Sequence, residues 1–425
     1  MFRTLFSNFF SLAGAEAFTK LITFAAFAYL ARLCGPAGFG YVEWAASVLM
    51  CSSLVVDQGF SMYGAREIAK SPGETSRLVS EVVTARILLA LVAYMAIAIF
   101  ALWFVSDQAV TVLLLVYGLS LLAMPFLLQW VFQGHDRMHL VSITQIVRQT
   151  IFVLVVFAFV AGLRDLVWVG IAEVAGVTAA AAFSLWVYRR YFSKQGKVFL
   201  ALSPKLFREG APIGLSQMFW VIKMFGATFV VGLIATAEDT GYFAGAMRIY
   251  IALHTFVWLY FFNMLPSMSR AWQQSPEKLT GIIKNSLRIV AVASLIVGII
   301  WVMSAPLIMT TAYGPSFSPG GGALQLLAGA CIAAAISGHY RYGLIASGSQ
   351  RNEMIAMAVG SLAALALIPV GYFNMGTNGA AAALFFAEIV VLIFSWMFFR
   401  RALLKHDRVG EVTTESFDSL RRVAI

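Results

Sequence analysis

The chain has few charged residues. Asp, Glu, Lys and Arg make up 12% of its 425 positions, whereas about a quarter is usual in soluble domains. Hydrophobic residues make up 60%, and the mean hydropathy is +0.84. This composition excludes a soluble globular domain and indicates a polytopic membrane protein of the all-α class. The net charge of +10 does not indicate nucleic-acid binding, because no soluble basic and aromatic segment accompanies it.

Cysteine and catalytic motifs are also scarce. Cys34, Cys51 and Cys331 form no CxxC pair and no metal-ligand spacing, so we predict neither a disulfide framework nor a metal site. The motifs HExxH, GxSxG and the P-loop are missing, and the glycines at 320–322 lack the Lys and Ser or Thr that a P-loop needs. We therefore expect no catalytic residues, no cofactor and no enzyme activity.

Apolar windows long enough to cross a bilayer, which takes about 20 residues, recur along the whole chain. They predict twelve transmembrane helices, at 9–33, 40–63, 78–105, 109–133, 141–162, 166–188, 208–233, 241–266, 282–312, 321–346, 353–373 and 377–399. Lys and Arg in the connections lie almost entirely on one side, and the opposite connections hold only Arg164. Because cytoplasmic loops carry the positive charge, we predict that both termini are cytoplasmic. The first window is too long for the apolar part of a signal peptide, so we expect it to be retained.

The two halves of the chain resemble each other. Lys20 in the first window corresponds to Lys223 in the seventh. The further matches are Arg86 with Arg288, Glu173 with Glu388, GHDR with GSQR, and FSLWVYRR with FSWMFFRR. Six helices per repeat keep both repeats in the same orientation, so this is a parallel repeat, which usually holds substrate between its halves. We predict an N-terminal lobe at 1–190, a basic cytoplasmic linker at 191–207, a C-terminal lobe at 208–403 and a cytoplasmic tail at 404–425.

Basic residues outnumber acidic ones within the windows. A charge at the centre of a bilayer costs about 3 kcal/mol or more unless it faces protein or water. The excess suits an anionic substrate, with phosphate or diphosphate the obvious candidate. The candidate substrate-binding cations are Lys20, Lys223, Arg248, Arg86, Arg288, Arg148 and Arg341. The candidate carboxylates for a coupling proton or sodium ion are Glu16, Asp57 and Glu388.

Each of these charges also has a structural interpretation. Glu16 and Lys20 lie one helical turn apart, where they can neutralise each other. Asp57 lies near Arg66, and we favour a local pair between them. The arginines near the window ends can extend to lipid headgroups. The sequence leaves the choice between substrate binding and a structural role open.

Two further groups of polar residues lie within the windows. Glu388 is placed near the membrane centre, where a carboxylate suits a proton site, but its repeat partner Glu173 indicates a shared packing role. We expect His254 and His339 to donate to neighbouring backbone carbonyls. Tyr and Trp near the window ends are predicted to lie at the membrane interfaces.

The N-terminal quarter carries a family resemblance. It consists of Asn8, Lys20, YLARLCGPAGFGYVEWAAS at 29–47 and DQGFSMYGAREIA at 57–69. These segments resemble the polysaccharide-transporter branch of the multidrug/oligosaccharidyl-lipid/polysaccharide exporter superfamily, and more narrowly O-antigen-type (Wzx-like) flippases. The resemblance is clearest over the first 90 residues, and the two-lobe plan extends it over the whole chain.

The resemblance implies a fold, a substrate and a location. The fold is two six-helix lobes around a central cationic cavity in a bacterial inner membrane. The implied substrate is an undecaprenyl-diphosphate-linked oligosaccharide, moved from the cytoplasmic to the periplasmic leaflet by alternating access for cell-surface polysaccharide synthesis. A proton or sodium counter-ion and the glycan polymerase machinery are the implied partners.

Other functions stay open at this point. A multidrug or cation antiporter has the same fold, but a cationic drug favours an acidic cavity. A lipid II flippase has two further helices, of which the chain gives no sign, and the repeat disfavours a channel or a purely structural protein. A membrane enzyme acting on lipid-linked glycans would carry carboxylates in a sizeable outer loop. The outer acids here lie in very short turns: Asp107, Asp165, Glu238 and Asp239.

Overall fold

The protein is built from helices. The computed structural model describes the backbone of residues 2–192 and 201–423 and the side chains of 18–192, 201–210, 214–215 and 218–404. Within these ranges no strand occurs. The α-helices are α1 (Phe2–Asp57), α2 (Phe60–Lys70), α3 (Thr75–Phe104), α4 (Gln108–Ala123), α5 (Gln129–Gly134), α6 (Met138–Phe159), α7 (Leu166–Tyr191), α8 (Pro204–Val221), α9 (Ala227–Ile234), α10 (Ala237–Gln274), α11 (Pro276–Tyr313), α12 (Gly321–Ala346) and α13 (Gln350–Val423). A π-helical turn (Ile222–Gly226) joins α8 to α9, and short 3₁₀ turns lie at Pro72–Glu74, Met124–Phe126, Leu163–Asp165 and Pro315–Gly320.

Many of the helices are of membrane-spanning length. In the part of the chain that the structure describes, nine helices are long and apolar enough to cross a membrane, and a shorter apolar helix spans Met218–Ile234. Helices suit a bilayer because they satisfy their backbone hydrogen bonds internally. The predicted all-α, multi-pass membrane class is confirmed.

Two of the long helices contain a break. In α1, Gly35 has φ 66° and ψ −177° and is followed by Pro36, between the predicted windows 9–33 and 40–63. A positive φ of this kind favours glycine, which has no Cβ. In α13, Met375 and Gly376 depart from helical geometry, between the predicted windows 353–373 and 377–399. The count of twelve helices stays a prediction.

The chain divides into two compact units. The first unit comprises Met1–Gly241 with Ala312–Phe317, and the second comprises Tyr242–Thr311 with Ser318–Ile425. Each unit contains a cluster of fully buried apolar side chains. In the first unit the cluster includes Phe60, Ile68, Leu78, Trp130 and Phe132. In the second it includes Met268, Leu279, Ile283, Leu344 and Phe399. The lobe boundaries derived from the sequence repeat stay a prediction.

Candidate functional site

Among the described residues, the predicted cations Arg86, Arg148 and Arg341 each pair with a carboxylate, and Arg86 is the most buried of the three. This α3 residue is 4% exposed, and its guanidinium contacts the carboxylate of Asp57 and the hydroxyl of Ser61. Asp57 Oδ1 also accepts hydrogen bonds from the Ser61 hydroxyl at 2.9 Å and from the Ser61 backbone N at 3.3 Å. Asp57, the last residue of α1, therefore neutralises Arg86 and satisfies a backbone donor in the first turn of α2.

A chain break positions this pair. Gln58 and Gly59 have positive φ angles of 43° and 81° and separate α1 from α2. Gly59 lies so close to α8 that a Cβ there would be 2.4 Å from the backbone N of Gly214. Glycine is therefore required at position 59 for both backbone angle and space.

The predicted pair between Asp57 and Arg66 is wrong. Arg66 Nε lies 3.0 Å from Glu67 Oε1, and its Nη2 lies 3.9 Å from Glu209 Oε2. The break after Asp57 separates the two residues into different helices, so helical spacing no longer relates their side chains.

The other two ion pairs hold neighbouring helices together. Arg148 Nη2 on α6 lies 2.5 Å from Glu173 Oε1 on α7. Arg341 on α12 donates from Nε at 3.0 Å and from Nη2 at 2.7 Å to Oε1 of Glu353 on α13. The Arg341 and Glu353 side chains are only 16% and 13% exposed. Such pairs satisfy charges inside a span, which favours a structural role for these arginines.

The remaining predicted cations differ in exposure. In the first unit Lys20 is exposed and Lys223 is 1% exposed. In the second unit Arg248 is partly buried and Arg288 is exposed. The residues that the sequence repeat relates, Lys20 with Lys223 and Arg86 with Arg288, therefore occupy unlike environments.

Lys223 is the most unusual of these cations. It lies in the π-helical turn Ile222–Gly226, within the apolar helix Met218–Ile234. Single π-helical turns frequently occur at functional sites. Ionisable residues within spans are rare and often mark substrate or ion pathways. Lys223 is therefore our first candidate for contact with an anion.

The predicted coupling carboxylates also differ. Glu388 on α13 is 2% exposed, and its Oε1 accepts a hydrogen bond of 3.1 Å from the hydroxyl of Tyr250 on α10. Its repeat partner Glu173 pairs with Arg148 instead. The side chain of Glu16 lies outside the described residues, so its proposed pair with Lys20 stays a prediction.

An aromatic cavity of about 390 Å³ lies in the first unit, between α1, α3, α4 and the segment from α9 to α10. The residues that line it include the aromatic side chains of Tyr41, Trp44, Phe100 and Phe104 and the carboxylate of Asp107. The Tyr41 hydroxyl donates to Asp107 Oδ2 at 3.3 Å. Trp44 Nε1 donates to the Phe229 carbonyl at 3.1 Å. Hydrogen bonds thus fix the orientation of two aromatic rings beside a carboxylate.

Asp107 owes its position to the start of α4. Its Oδ1 accepts from the backbone N of Ala109 at 2.8 Å and of Val110 at 3.4 Å, which is the geometry of an N-cap. One carboxylate oxygen therefore anchors the residue, and the other faces Tyr41.

Sequence reasoning missed this cavity and Glu353. It treated Asp107 as an isolated acid in a short turn, and Tyr and Trp as interfacial residues. The available signal for the cavity was the spacing of Tyr41 and Trp44, which puts both rings on one helical face just after the Gly35 break. The Arg341–Glu353 pair could have been predicted from the short turn between α12 and α13, which brings the start of α13 close to Arg341.

Metal binding has no support in the described side chains, where no group of three or more His, Cys, Asp or Glu could hold an ion.

Known proteins share the sequence pattern and the fold. Residues 5–272 match the family described as polysaccharide biosynthesis protein. A putative O-antigen transporter of Escherichia coli (strain K12) is 22% identical over 405 residues, which cover 92% of this chain and 96% of that protein. An inward-facing multidrug resistance MATE family transporter of the MOP superfamily has a TM-score of 0.74 at 15% identity, covering 92% of this chain and 96% of that one. The lipid II flippase MurJ has a TM-score of 0.71 at 14% identity, with 92% and 90% coverage.

Proposed function

The chain belongs to the polysaccharide biosynthesis protein family, and we propose that it is a flippase for a lipid-linked oligosaccharide. The proposed substrate is an undecaprenyl-diphosphate-linked glycan, moved from the cytoplasmic to the periplasmic leaflet of a bacterial inner membrane. The similar proteins named above are transporters or flippases, and this chain is likewise a membrane transporter and not an enzyme.

The aromatic cavity of the first unit is the observation that carries the proposal. The C–H face of a sugar ring packs on aromatic faces, while its hydroxyls donate to carboxylate oxygens. Tyr41, Trp44 and Asp107 supply both kinds of contact in one cavity of about 390 Å³. All three lie on the side that the charge distribution predicts to be periplasmic. We assign this cavity to a sugar of the glycan.

The diphosphate needs cationic partners. We assign Lys223, Lys20, Arg248 and Arg288 to it, because cations strengthen their hydrogen bonds to phosphate in a low dielectric. The three ion-paired arginines, Arg86, Arg148 and Arg341, remain candidates only if substrate displaces their carboxylates. The buried Lys223 requires a conformational change before it meets substrate, which alternating access supplies.

The proposed membrane arrangement follows the charge distribution. It has twelve spans in two six-helix lobes, at 1–190 and 208–403, with both termini cytoplasmic. One lobe rocks against the other while the lipid tail stays in the bilayer. A proton or sodium ion is the proposed counter-ion, with Glu16, Asp57 and Glu388 as candidate sites. The machinery that polymerises the glycan is the proposed protein partner.

Deletion of the gene in a cell that makes a surface polysaccharide tests the proposal. We expect surface glycan to fall and the lipid-linked oligosaccharide, unchanged in composition, to accumulate on the cytoplasmic leaflet. A plasmid copy should restore export. Continued export without accumulation would contradict the proposal, and accumulation of a glycan with altered composition would indicate an enzyme.

A multidrug antiporter is the second candidate, because the MATE family transporter shares the fold. The same deletion strain distinguishes the two functions. A flippase leaves the efflux of a cationic dye unchanged, whereas an antiporter of cationic drugs leaves glycan export unchanged and slows dye efflux.

A further inference from the structure

A hydrogen-bonded chain of three side chains links three helices of the second unit. The Tyr260 hydroxyl on α10 lies 2.6 Å from Ser286 Oγ on α11, and Ser286 Oγ lies 2.7 Å from Nε2 of His339 on α12. Exposure falls steeply along the chain, from 38% at Tyr260 to 8% at Ser286 and 0% at His339. A partly exposed tyrosine is thus connected to a fully buried imidazole by one intermediate group.

The backbone fixes the tautomer of His339. Its Nδ1 lies 3.1 Å from the Ala335 carbonyl oxygen and 3.3 Å from that of Ile336. A carbonyl oxygen only accepts, so Nδ1 carries a proton in both charge states. The sequence predicted this backbone donation, and it is confirmed. In the neutral ring, Nε2 is therefore the acceptor, and Ser286 donates to it.

The direction of the whole chain follows from that assignment. Ser286 has one hydroxyl proton, and if it donates to His339 its oxygen is left to accept from Tyr260. Met264 Sδ lies 3.6 Å from Ser286 Oγ and is a weak alternative acceptor. The neutral chain therefore has one consistent orientation, with every proton directed towards His339.

We propose that Tyr260, Ser286 and His339 form a proton-binding site, with Tyr260 as its entrance. A proton arrives at Tyr260 Oη while the tyrosine proton moves to Ser286 Oγ and the serine proton moves to His339 Nε2. Each oxygen gains one proton and loses one. The net change is one added proton, held as a doubly protonated imidazolium, with all the hydrogen bonds of the chain reversed.

The named neighbours of His339 add no net charge beside the imidazolium. Tyr260 is the titratable group that faces it from α10, where the Phe261 ring also packs edge-on at 4.8 Å. Ser286 faces it from α11. Two residues further along α12, Arg341 is paired with Glu353 of α13, so that pair adds no net charge.

This site differs from the carboxylates that the sequence indicated for ion coupling. Histidine is the side chain whose unperturbed charge change lies in the physiological range, so modest changes in its surroundings alter its proton occupancy. The proton site rests on its own geometry. Its use to drive glycan transport rests, in addition, on the proposed function.

Imidazole ¹⁵N NMR on the full-length protein in lipid nanodiscs tests the site without substrate. The chain has five histidines, and His339→Gln assigns the resonance. If that variant does not fold, substitution of the other four histidines one at a time assigns it by elimination. We expect His339 in the wild type to pass from the Nδ1–H tautomer to imidazolium as the pH is lowered.

Two variants and a control separate a relay from simple packing. Ser286→Ala and Tyr260→Phe should slow proton exchange at His339 Nε2 at least tenfold. Ser294 lies on the same helix, where its Oγ donates to the Ala291 carbonyl oxygen at 3.2 Å. In the control variant Ser294→Ala, exchange at His339 should therefore be unchanged. A His339 that stays neutral at every pH, or an exchange rate unaffected by both relay variants, would overturn the proposal.

Transport then tests the coupling separately. If His339 titrates as expected but a pH gradient drives the Ser286→Ala variant as fast as the wild type, the proton site stands and its coupling role is refuted. If the wild type moves no glycan at all, the proposed function fails while the NMR result keeps its meaning.

Discussion

Arg86 and Asp57, 29 residues apart in the sequence, form an ion pair that joins α3 to the junction of α1 and α2. The Arg86 side chain is 5% exposed and that of Asp57 is 36% exposed. The pair therefore buries the cation more deeply than the anion. A change at either residue alone leaves the other without its partner.

Asp57→Asn is expected to destabilise the protein, because Arg86 stays buried without a carboxylate. Removing one partner of a buried pair costs about 3–5 kcal/mol. The solvent exposure of Asp57 reduces the expected loss to about 1–3 kcal/mol. Thermal or denaturant-induced unfolding of the purified variants, all in the same detergent, measures this loss of stability.

A double-mutant cycle identifies the partner. Asp57→Asn combined with Arg86→Met should lose less stability than the two single changes added together, by about 1 kcal/mol or more. Arg66→Ala is the matched control. The stability lost in Arg66→Ala should simply add to the stability lost in Asp57→Asn. Additive losses for positions 57 and 86 would show that the pair contributes nothing.

Asp107→Asn is expected to weaken glycan transport with little change in stability. Asparagine caps a helix as well as aspartate does, so α4 keeps its start, while the charged acceptor beside Tyr41 is lost. A hydrogen bond to a charged group contributes about 1.5–3 kcal/mol, so the apparent KM for the glycan should rise roughly 10- to 100-fold.

Asp165→Asn is the matched control for the cavity. Asp165 lies in another predicted outer turn, where it accepts from the backbone N of Ala161 at 3.0 Å. It does not line the aromatic cavity. Equal effects of the two substitutions on transport would remove the cavity from the site.

His135 is expected to make the protein less stable in mild acid. Its Nε2 lies 2.9 Å from Thr75 Oγ1, and its ring centroid lies 4.7 Å from that of Phe192. Burial, helped by the charge of Arg137, lowers the pKa of His135 below its usual 6.5. As pH falls below 6.5 the unfolded chain binds this proton first, so the free energy of unfolding decreases until pH reaches the lowered pKa.

Unfolding measured against pH checks this sign. In His135→Gln, the decrease in the free energy of unfolding that starts at about pH 6.5 should be absent. In the control His139→Gln, which changes an exposed histidine, the decrease should remain. A wild-type stability that rises as pH falls through this window would show that the sign is wrong.

The class of the protein follows from its sequence. Spanning windows predict helices because a bilayer leaves the backbone no other partner. The structure shows the α1 and α13 breaks where glycine interrupts the apolar runs, at Gly35 and Gly376. The family resemblance read from the segments at 29–47 and 57–69 is confirmed by the family match over 5–272.

The pairing of charges does not follow from the sequence. Whether a cation in a span is neutralised depends on which helix lies opposite, and Arg341 meets Glu353 only through the α12–α13 turn. Asp57 was assigned to Arg66 because the two residues are near each other in the sequence, but α1 ends at Asp57, and Gln58 and Gly59 separate it from α2. The aromatic cavity combines residues from several helices, so no local pattern contains it.

The most direct test of the account is the rate at which Lys223→Met moves a lipid-diphosphate-linked glycan across reconstituted liposomes. Glycan that reaches the outer leaflet is measured with a lectin that does not cross the membrane, and exposed Lys205→Met on α8 serves as the control. Methionine has nearly the volume of the buried lysine without its charge, and the thermal unfolding of both variants is measured alongside transport. The account predicts a rate at least tenfold below the wild type for Lys223→Met and an unchanged rate for Lys205→Met. A stable, correctly reconstituted Lys223→Met protein that moves the glycan at the wild-type rate would contradict it.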